Sequence, residues 1–353
     1  MSSAGPGARE ALETRESHRT GCGHTAVVAG VGGWVPPRVV TNHDLSARLD
    51  TSDEWIRSRT GIARRHVIAR DGATSDLAVE AGRLALKSSG TAEADAVVLA
   101  TTTPDHPCPA TAPEVAHRLG LGGAAAFDVA AVCTGFLYAL ATGQGLIAAG
   151  SAERVLVIGA DAFTTLVDPQ DRSTAVIFAD GAGAVVLRTG DPAGDGALGR
   201  VFLGSDGSRS GLIQVPGGGS RQRAKDRSAV GGDCYFRMHG QETFRQAVDR
   251  MATASRDAVG SAGWRLRDVD RVVAHQANAR ILGALADELD VPPGRMLSNI
   301  EHVGNTGAAS VPLLLHEAHA QGRLEAGNRL LLTAFGGGLA WGATTLVWPR
   351  LGH

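Results

Sequence analysis

The chain has 353 residues and a mass of 36.3 kDa, enough for two or three average domains or for one large α/β unit with a substantial core. It is 43% hydrophobic but only 4% aromatic, and it contains 47 glycines and 14 prolines, which excludes a disordered polymer, a coiled coil and a disulfide-rich miniprotein. The formal net charge of −2 argues against a nucleic-acid partner, and no apolar run reaches the roughly 18 residues that a membrane helix needs.

The chain begins with a polar stretch. Residues 1–23 mix Gly, Ser, Glu and Arg and lack the apolar core of a secretory signal, so we expect a flexible tail there. Four cysteines without an export signal favour reduced thiols in the cytoplasm over a disulfide framework. They are Cys22, Cys108, Cys133 and Cys234.

Beyond this tail, short apolar runs alternate with Ala-rich helical stretches, a pattern typical of an α/β protein with buried strands. In chain order, the predicted strands are Thr25–Val31, Ala96–Ala100, Val155–Gly159, Ala184–Leu187, Arg271–Ala274, Leu330–Ala334 and Ala343–Val347. The predicted helices are Ser75–Ser89, Thr111–Leu119, Cys133–Ala149, Gln241–Ser261, Ala279–Leu289 and Val311–Gln321.

Two of the predicted strands recur farther along the chain, and both recurrences have the same offset. Cys133 and Asn305 are separated by almost the same offset, and each lies at the start of a predicted helix of small residues. Short Val/Leu runs match by chance in many α/β chains, but three matches in the same order favour a duplication that brings Cys133 and Asn305 to facing positions. The matching segments are Asp95–Leu99 with Asp270–Ala274, and Arg154–Ile158 with Arg329–Thr333.

Cys133 is a candidate nucleophile. It stands where an apolar strand ends and a Gly/Ala-rich helix is predicted to begin. The positive end of the helix dipole favours a thiolate, so we expect the pKa of the Cys133 thiol to be lowered. This segment alone leaves open that Cys133 is a buried structural cysteine.

His275 and Asn305 are candidate partners for Cys133. His275 follows a predicted strand, at the end where α/β sites collect, and Asn305 lies in a Gly-Asn-Thr-Gly turn. Either residue alone would fit a core, capping or turn role. Together they could donate hydrogen bonds to a thioester oxygen, while Phe335–Gly338 offers backbone N–H groups for an oxyanion hole.

Several longer motifs occur in a specific order from about Thr25 to Trp348. With them, the chain resembles the β-ketoacyl-(acyl-carrier-protein) synthase III family, thiolase-fold condensing enzymes that prime fatty-acid and some polyketide chains. Chance does not explain so many motifs in one order. They are Thr51–Ile56 with Arg59–Ile62, the Cys133 segment, Asp168-Pro169 with Asp171-Arg172, Asp180–Gly183, His275–Asn278, Gly304–Thr306 and Phe335–Gly338.

The resemblance implies a two-step reaction. Cys133 would be acylated by an acyl-CoA, after which His275 and Asn305 would stabilise the enolate formed when a malonyl-carrier thioester loses CO₂. The backbone N–H groups of Cys133 and Gly337 would hold the oxyanion, and Phe335 would wall the decarboxylation site. No metal and no bound cofactor is implied, because acyl-CoA and malonyl-ACP are substrates.

The same resemblance implies a coenzyme A site and an overall organisation. Six residues would bind CoA: Trp55 and Arg172 bracket the adenine, Arg59 lies near the nucleotide, Thr51 bonds the base, and Gly240 and Asn278 line the pantetheine channel. Simple core packing is the alternative role for Trp55. We expect an α/β thiolase-like fold of two duplicated halves, residues 24–195 and 196–353, in one five-layered α-β-α-β-α body, assembled as a homodimer.

The sequence departs from the family pattern at Cys108. Well-known bacterial members carry a large aromatic residue in the loop that enters the partner subunit's acyl pocket, and here that loop is Thr103–Pro109. A small residue predicts a roomier pocket and starters larger than acetyl, unless neighbouring side chains refill the space.

A second departure concerns the docking face for the acidic carrier protein. The helix after His275 keeps Arg280 but then carries acidic residues, and Arg245 and Arg250 on the preceding helix could compensate. So few basic charges predict weak, salt-sensitive docking or selection of a particular carrier.

Decarboxylative condensation is the leading interpretation, and three others compete with it. An acyltransferase could move the acyl group from Cys133 to an alcohol or amine, but it would not need Asn305 to stabilise an enolate. A Cys-His-Asn hydrolase would need water in an apolar tunnel. A non-catalytic carrier-binding partner would not need Cys133.

Overall fold

The structure is a computed structural model, and it describes residues 25–225 and 232–352. The predicted tail, residues 1–23, lies outside the described residues. The strands are β1 Thr25–Trp34, β2 Val39–Thr41, β3 Arg64–His66, β4 Ala96–Ala100, β5 Ala125–Val129, β6 Arg154–Ala162, β7 Asp180–Gly190, β8 Phe202–Ser205, β9 Ile213–Gln214, β10 Arg237–Met238, β11 Arg271–Ala274, β12 Arg329–Gly336 and β13 Ala340–Val347. The helices are α1 Asn42–Ser46, α2 Asp53–Thr60, α3 Thr74–Ser88, α4 Ala112–Arg118, α5 Gly135–Ala148, α6 Arg172–Ala175, α7 Ser220–Lys225, α8 Gly240–Ser261, α9 Ala279–Glu288, α10 Ile300–Val303 and α11 Ser310–Ala320.

Two mixed sheets, one in each half, carry the fold. The first has the order β1-β7-β6-β4-β5, with β4 parallel to both β5 and β6 and with β7 antiparallel to its neighbours. The second has the order β11-β12-β13-β8, with β11 parallel to β12. Each residue of β4 is buried, as expected for a strand covered on both faces.

Helices cover both sheets and also separate them. Helices α3 and α4 pack on the outer face of the first sheet, α5 and α11 lie between the sheets, and α8 and α9 pack on the outer face of the second sheet. The expected five-layered α-β-α-β-α arrangement is therefore confirmed. Representative core residues, from the first outer layer to the last, are Leu77, Ala81 and Val115, then Leu137, Leu140 and Leu314, then Met251, Ala258 and Leu285.

The repeat is visible in the strand register. Val97 lies opposite Leu156 in the first sheet and Val272 lies opposite Leu331 in the second, so both paired positions keep the offset found in the sequence. A 3₁₀ turn leads into each helix of the middle layer, Val132–Thr134 before α5 and Gly307–Ala309 before α11. These two turns have the same offset.

This register corrects one detail of the internal repeat inferred from the sequence. The counterpart of Cys133 in the second half is Ala308, and the matching of Cys133 with Asn305 is wrong by three positions. The similar Cys-Thr-Gly and Asn-Thr-Gly sequences caused the error. They occupy different positions relative to the two turns.

The predicted elements all occur: strands Ala96–Ala100 and Arg271–Ala274 have the predicted bounds, and the others have shifted ends. The helix expected from Cys133 begins at Gly135, because Cys133 belongs to the preceding 3₁₀ turn. The strand predicted at Ala184–Leu187 is longer, β7, since its glycines allow close packing: a Cβ on Gly183 would collide with the backbone of α11 at Leu313. Within the described residues, no helix is both long and apolar enough to cross a membrane.

Candidate active site

A narrow cavity of about 330 Å³ joins the two halves. Cys133 from the first half and His275 and Asn305 from the second half all line it. Most of the other walls are apolar. They include Ile177, Phe178, Ile213, Phe236, Met238, Phe244, Ala247, Met251, Ile281 and Phe335.

Cys133 is held by a strained turn. Val132, directly before it, has a φ of 46°, which a β-branched residue rarely adopts. The turn then continues into α5, whose first residues are glycine and apolar side chains. Such a strained residue beside a candidate nucleophile supports a functional reason for its position.

The predicted low pKa of Cys133 is wrong in this structure. Burial and, to a lesser degree, the negative charge of Asp161 together raise the pKa of the Cys133 thiol to about 12, and the Cys133 N–H offsets this only in part. The sequence showed the helix terminus but not the depth of burial or the nearby carboxylate. Cys133 is therefore a thiol at neutral pH, and a reaction must remove its proton.

His275 lies at the end of β11 and is 3% exposed. Its backbone N–H donates to the Thr333 carbonyl at 2.8 Å, while its side-chain Nδ1 is buried without a hydrogen-bond partner among the described residues. Burial lowers the pKa of His275 to about 4, so the imidazole is neutral at physiological pH. A neutral imidazole can donate one hydrogen bond into the cavity.

Asn305 is fixed on three sides and is 4% exposed. Its Oδ1 accepts the Gly307 N–H at 3.0 Å, and its Nδ2 donates to the Ala277 carbonyl at 3.4 Å. Its backbone pairs with Ile177 and Ala179 of the first half. Because Oδ1 is engaged, the amide presents its NH₂ group on the side of Ala277, close in the chain to His275.

The glycine run faces the nucleophile. A Cβ on Gly336 would lie 2.9 Å from the Cys133 nitrogen and 3.0 Å from the Thr134 nitrogen, so a larger residue would press on these N–H groups. Gly337 is buried, and its own Cβ would lie 2.9 Å from Val132. Phe335 lines the cavity beside them. The run thus leaves space in front of the Cys133 backbone, as an oxyanion hole requires.

The mouth of the cavity carries an aromatic and cationic cluster. The Arg172 guanidinium lies 4.8 Å from the centre of the Trp55 ring, and the Arg59 guanidinium lies 5.6 Å from it. Arg172 also donates to the Asp50 carbonyl at 2.6 Å. The Thr51 hydroxyl is buried without a hydrogen-bond partner among the described residues. An adenine between Trp55 and Arg172 would have to separate them.

A wider depression of about 610 Å³ continues from this mouth. Four residues line both the depression and the narrow cavity and so mark the junction, or constriction, between them: Arg59, Gly240, Phe244 and Asn278. Asn278 also caps α9 by accepting the Ile281 N–H at 3.0 Å. Arg59, Arg245 and Arg280 line the depression. Its rim is therefore cationic.

Two residues that the sequence analysis singled out as departures from the family pattern, or as compensating for one, lie away from the cavity. Cys108 is exposed on the loop after β4, outside the lining of the cavity in the single chain. Arg250 stacks on Trp341, with its guanidinium 4.7 Å from the ring centre. This stacking means that Arg250 does not join Arg245 and Arg280 on the cationic rim.

Sequence reasoning missed two features of the site. Asp161, fully buried near the end of β6, is close enough to Cys133 to raise the pKa of its thiol. An aromatic cluster supports one wall: Phe163 stacks on Phe178 at 4.3 Å, and Phe236 meets both rings edge-on. An acid in a strand that is otherwise apolar after its first residue, Arg154, was the only sequence signal for Asp161. The aromatic residues gave none.

The duplicated five-layered fold, with a half-buried cysteine, a neutral histidine and an asparagine around one mostly apolar cavity, defines a thiolase-fold acyltransferase. Residues 127–207 match the family model for 3-oxoacyl-[acyl-carrier-protein (ACP)] synthase III, and residues 259–348 match the model for its C-terminal part. The chain belongs to the β-ketoacyl-(acyl-carrier-protein) synthase III family.

Individual relatives cover almost the whole chain. It is 58% identical over 328 residues to β-ketoacyl-[acyl-carrier-protein] synthase III 3 of Streptomyces coelicolor, covering 92% of this chain and 98% of the relative. The crystal structure of 3-oxoacyl-(acyl carrier protein) synthase III from Pseudomonas aeruginosa matches with a TM-score of 0.87 and 49% identity, over 93% of this chain and 100% of that one. The priming β-ketosynthase of the R1128 polyketide pathway matches with a TM-score of 0.86 and 34% identity, over 93% of this chain and 97% of that one.

Proposed function

We propose that this enzyme condenses an acyl-CoA starter larger than acetyl with malonyl-ACP, through an acyl-Cys133 intermediate, and so primes a fatty-acid or polyketide chain. The observation that carries the proposal is the meeting of Cys133, His275 and Asn305 in one buried, mostly apolar cavity. Such walls exclude the water that would hydrolyse an acyl-enzyme. The two half-reactions follow from these groups.

In the first half-reaction, the Cys133 sulfur attacks the carbonyl carbon of acyl-CoA. A new C–S bond forms, the bond to the CoA sulfur breaks, and the Cys133 proton leaves with the CoA thiol. The developing oxyanion would accept hydrogen bonds from the N–H groups of Cys133 and Gly337. Each such donor is typically worth about 10²–10³ in rate. The raised pKa of the Cys133 thiol makes this assistance important.

In the second half-reaction, the malonyl thioester would lose CO₂ beside Phe335, and its carbonyl oxygen would gain negative charge as the enolate forms. His275 and the NH₂ group of Asn305 would each donate a hydrogen bond to this oxygen. A neutral His275 suits this role, since the imidazole keeps one N–H and does not place a fixed charge in the apolar site. The enolate carbon then attacks the Cys133 thioester, a C–C bond forms, and the bond to the Cys133 sulfur breaks. The released thiolate takes up a proton from solvent and is again a thiol.

Coenzyme A would enter through the aromatic and cationic mouth. The adenine would insert between Trp55 and Arg172, with Arg59 near the nucleotide and with the unpartnered Thr51 hydroxyl bonding the base. The pantetheine arm would then pass Gly240 and Asn278 at the constriction. This route connects the cationic rim with Cys133.

The carrier protein and a second copy of the chain would bind elsewhere. Arg245 and Arg280 on the rim suit an acidic carrier, whose arm would use the same constriction. Strand β5 stands at the edge of the first sheet, exposed or half-buried along its length, and offers an unpaired edge to a second copy. A homodimer of this kind would bring the Cys108 loop of one subunit towards the other.

The starter preference depends on Cys108. With a small residue in this loop, we expect C4–C8 acyl-CoAs to acylate the enzyme faster than acetyl-CoA. Cys108→Phe should shift the preference towards acetyl by filling the acyl pocket of the other subunit in the proposed homodimer. The measurement is the rate of acylation by each acyl-CoA, read by intact-mass spectrometry. A wild type that strongly prefers acetyl would disprove the idea.

The overall reaction is tested in two stages. Incubation with a panel of acyl-CoAs should add one acyl group to the wild type but none to Cys133→Ala. Addition of carboxyl-labelled malonyl-ACP to the acylated enzyme should release labelled CO₂ and form a β-ketoacyl-ACP. Acylation without CO₂ release, followed by transfer to an added alcohol or amine, would instead identify an ester- or amide-forming acyltransferase.

A further inference from the structure

Asp161 is a completely buried carboxylic acid that the proposed reaction does not use. Its Oδ1 accepts the Thr102 N–H at 2.6 Å and lies 3.2 Å from the Thr101 hydroxyl and 3.4 Å from the Thr103 hydroxyl. Its Oδ2 accepts the Ala308 N–H at 2.7 Å. One carboxylate therefore joins the loop after β4 in the first half to the 3₁₀ turn of the second half.

The Ala308 N–H has a particular place in the duplicated fold. Ala308 is the counterpart of Cys133, and Gly336 is the counterpart of Asp161, both at the offset that relates the two sheets. Around Cys133, Gly336 leaves space in front of the turn's N–H groups. Around Ala308, the Asp161 carboxylate fills the corresponding space. The second turn thus holds a built-in anion where the first turn would hold the substrate oxyanion.

The turn that Asp161 binds also fixes Asn305. Gly307, adjacent to Ala308, has a φ of 58° and donates its N–H to Asn305 Oδ1. A Cβ on Gly307 would collide with Asp161 Oδ2, so this glycine allows the carboxylate to approach the turn. The connection runs from Asp161 through the Gly307–Ala308 backbone to the side-chain amide of Asn305.

We infer that Asp161 is a positioning residue for the second half-reaction: its carboxylate occupies the anion position of the duplicated turn and thereby aims the Asn305 NH₂ group at the malonyl thioester. This inference rests on the proposed role of Asn305. The same carboxylate opposes a thiolate at Cys133. Asp161 should therefore aid the decarboxylation without aiding the acylation.

Burial and hydrogen bonding act on Asp161 in opposite directions. Burial raises the pKa of Asp161, the donors from Thr102, Ala308 and the threonine hydroxyls lower it, and the two together leave the pKa raised to about 7. A buried carboxyl that keeps both oxygens as acceptors must retain these donors, since an unpaired buried acceptor is costly. The arrangement is consistent with a group kept for its hydrogen bonds.

The test separates the two half-reactions in Asp161→Asn. An asparagine keeps the size of the side chain but directs an NH₂ group at either Thr102 or Ala308, both of which also donate. We expect CO₂ release from malonyl-ACP to fall about 10- to 100-fold, as for a catalytic group displaced by a fraction of an ångström to about 1 Å. Acylation of Cys133 by acyl-CoA should be unchanged or faster, because the opposing charge is gone.

Asp180→Asn is the matched control. Asp180 is equally buried, but its hydrogen bonds go to Ile68 and Thr164 of the first half. Its variant should lower both half-reactions by one common factor, if at all. If Asp161→Asn also lowers both rates equally, or changes neither, Asp161 is structural and the inference is wrong. A wild type that releases no CO₂ would instead refute the proposed function.

Asp161→Gly provides a second, independent test that does not depend on how an asparagine side chain orients. It copies the residue at the counterpart position, Gly336, and opens a carboxylate-sized space beside the Ala308 N–H. Formate should restore CO₂ release several-fold in Asp161→Gly and should not do so in the wild type. No recovery in a variant that folds, as judged by its melting temperature, would contradict the inference.

Discussion

The two 3₁₀ turns of the middle layer occupy equivalent positions in the two halves but differ in the residue that faces them. The Val132–Thr134 turn carries the candidate nucleophile and faces Gly336, and its Cys133 borders the cavity. The Gly307–Ala309 turn carries only small residues and faces Asp161, which accepts the Ala308 N–H. The duplication therefore provides two similar turns: the space in front of the first is left open by Gly336, and the space in front of the second is filled by the Asp161 carboxylate.

This difference shows how equivalent positions in two related halves can have different functions in one site. The open turn suits chemistry on an incoming carbonyl oxygen, while the closed turn can serve as a rigid support for Asn305. His275 follows the same logic. It occupies the position at the end of a strand that Ala100 occupies in the first half. The residue at this position is therefore a candidate catalytic group in the second half and a packed apolar side chain in the first.

The largest expected effect is that substitutions in the two halves abolish different steps of the reaction. Cys133→Ala should lose both acylation and condensation, while Asn305→Ala should keep acylation by acyl-CoA and lose about 10²–10³ in CO₂ release. Intact-mass spectrometry and labelled malonyl-ACP report the two steps. If Asn305→Ala lost acylation to the same degree as condensation, the division of work between the halves would be wrong.

The next effect concerns pH and the burial of His275. Its pKa of about 4 in the folded protein lies below its ordinary value of 6.5, so an unfolded chain binds a proton more readily. This group's contribution to stability is present above pH 6.5 and is lost as the pH falls towards 4, by on the order of 3 kcal/mol. Urea unfolding of wild type and His275→Gln at pH 7 and pH 4.5 measures it. Equal losses in both proteins would contradict the burial argument.

A third prediction fills the open space in front of the Cys133 turn. Gly336→Ala places a methyl group against the Cys133 and Thr134 N–H groups, so acylation of Cys133 should fall about 10- to 100-fold. The extended backbone of Gly336, with a φ of −154°, tolerates alanine. Gly294→Ala, on an open surface turn, is the control and should leave acylation unchanged. Normal acylation in Gly336→Ala would mean that the space in front of this turn is not the oxyanion hole.

Much of this organisation could be predicted from the sequence because it depends on local pattern. The all-apolar runs indicated the buried strands, and the constant offset between the repeated segments indicated the two halves. Cys133 and His275 were found because each follows an apolar segment, where side chains of an α/β sheet reach a cavity. Asn305 was found by its Gly-Asn-Thr-Gly turn and the family motif that contains it.

What the sequence could not supply is the three-dimensional environment. The pKa of Cys133 depends on burial and on Asp161, which belongs to a different element, strand β6. Asn305 was aligned with Cys133 because the similar Thr-Gly sequences hide the difference in their positions relative to the two turns. Arg250 was grouped with the docking residues by its place on α8, but its cation–π contact with Trp341 depends on strand β13.

The smallest expected effect concerns the second-half surface around the cationic rim. Arg280 stands in the first turn of α9 and lines the depression outside the constriction, together with Arg59 and Arg245. Arg280→Glu should raise KM for malonyl-ACP about threefold at low salt and leave kcat nearly unchanged, because rim charges mainly affect encounter with a charged partner. The difference from wild type should shrink at high ionic strength, where screening weakens both proteins' attraction for the carrier. Arg83→Glu, on α3 at the outer face of the first sheet and paired there with Glu80, is the matched control and should not change KM. A salt-independent defect in Arg280→Glu, or an equal defect in Arg83→Glu, would place carrier docking on a different surface.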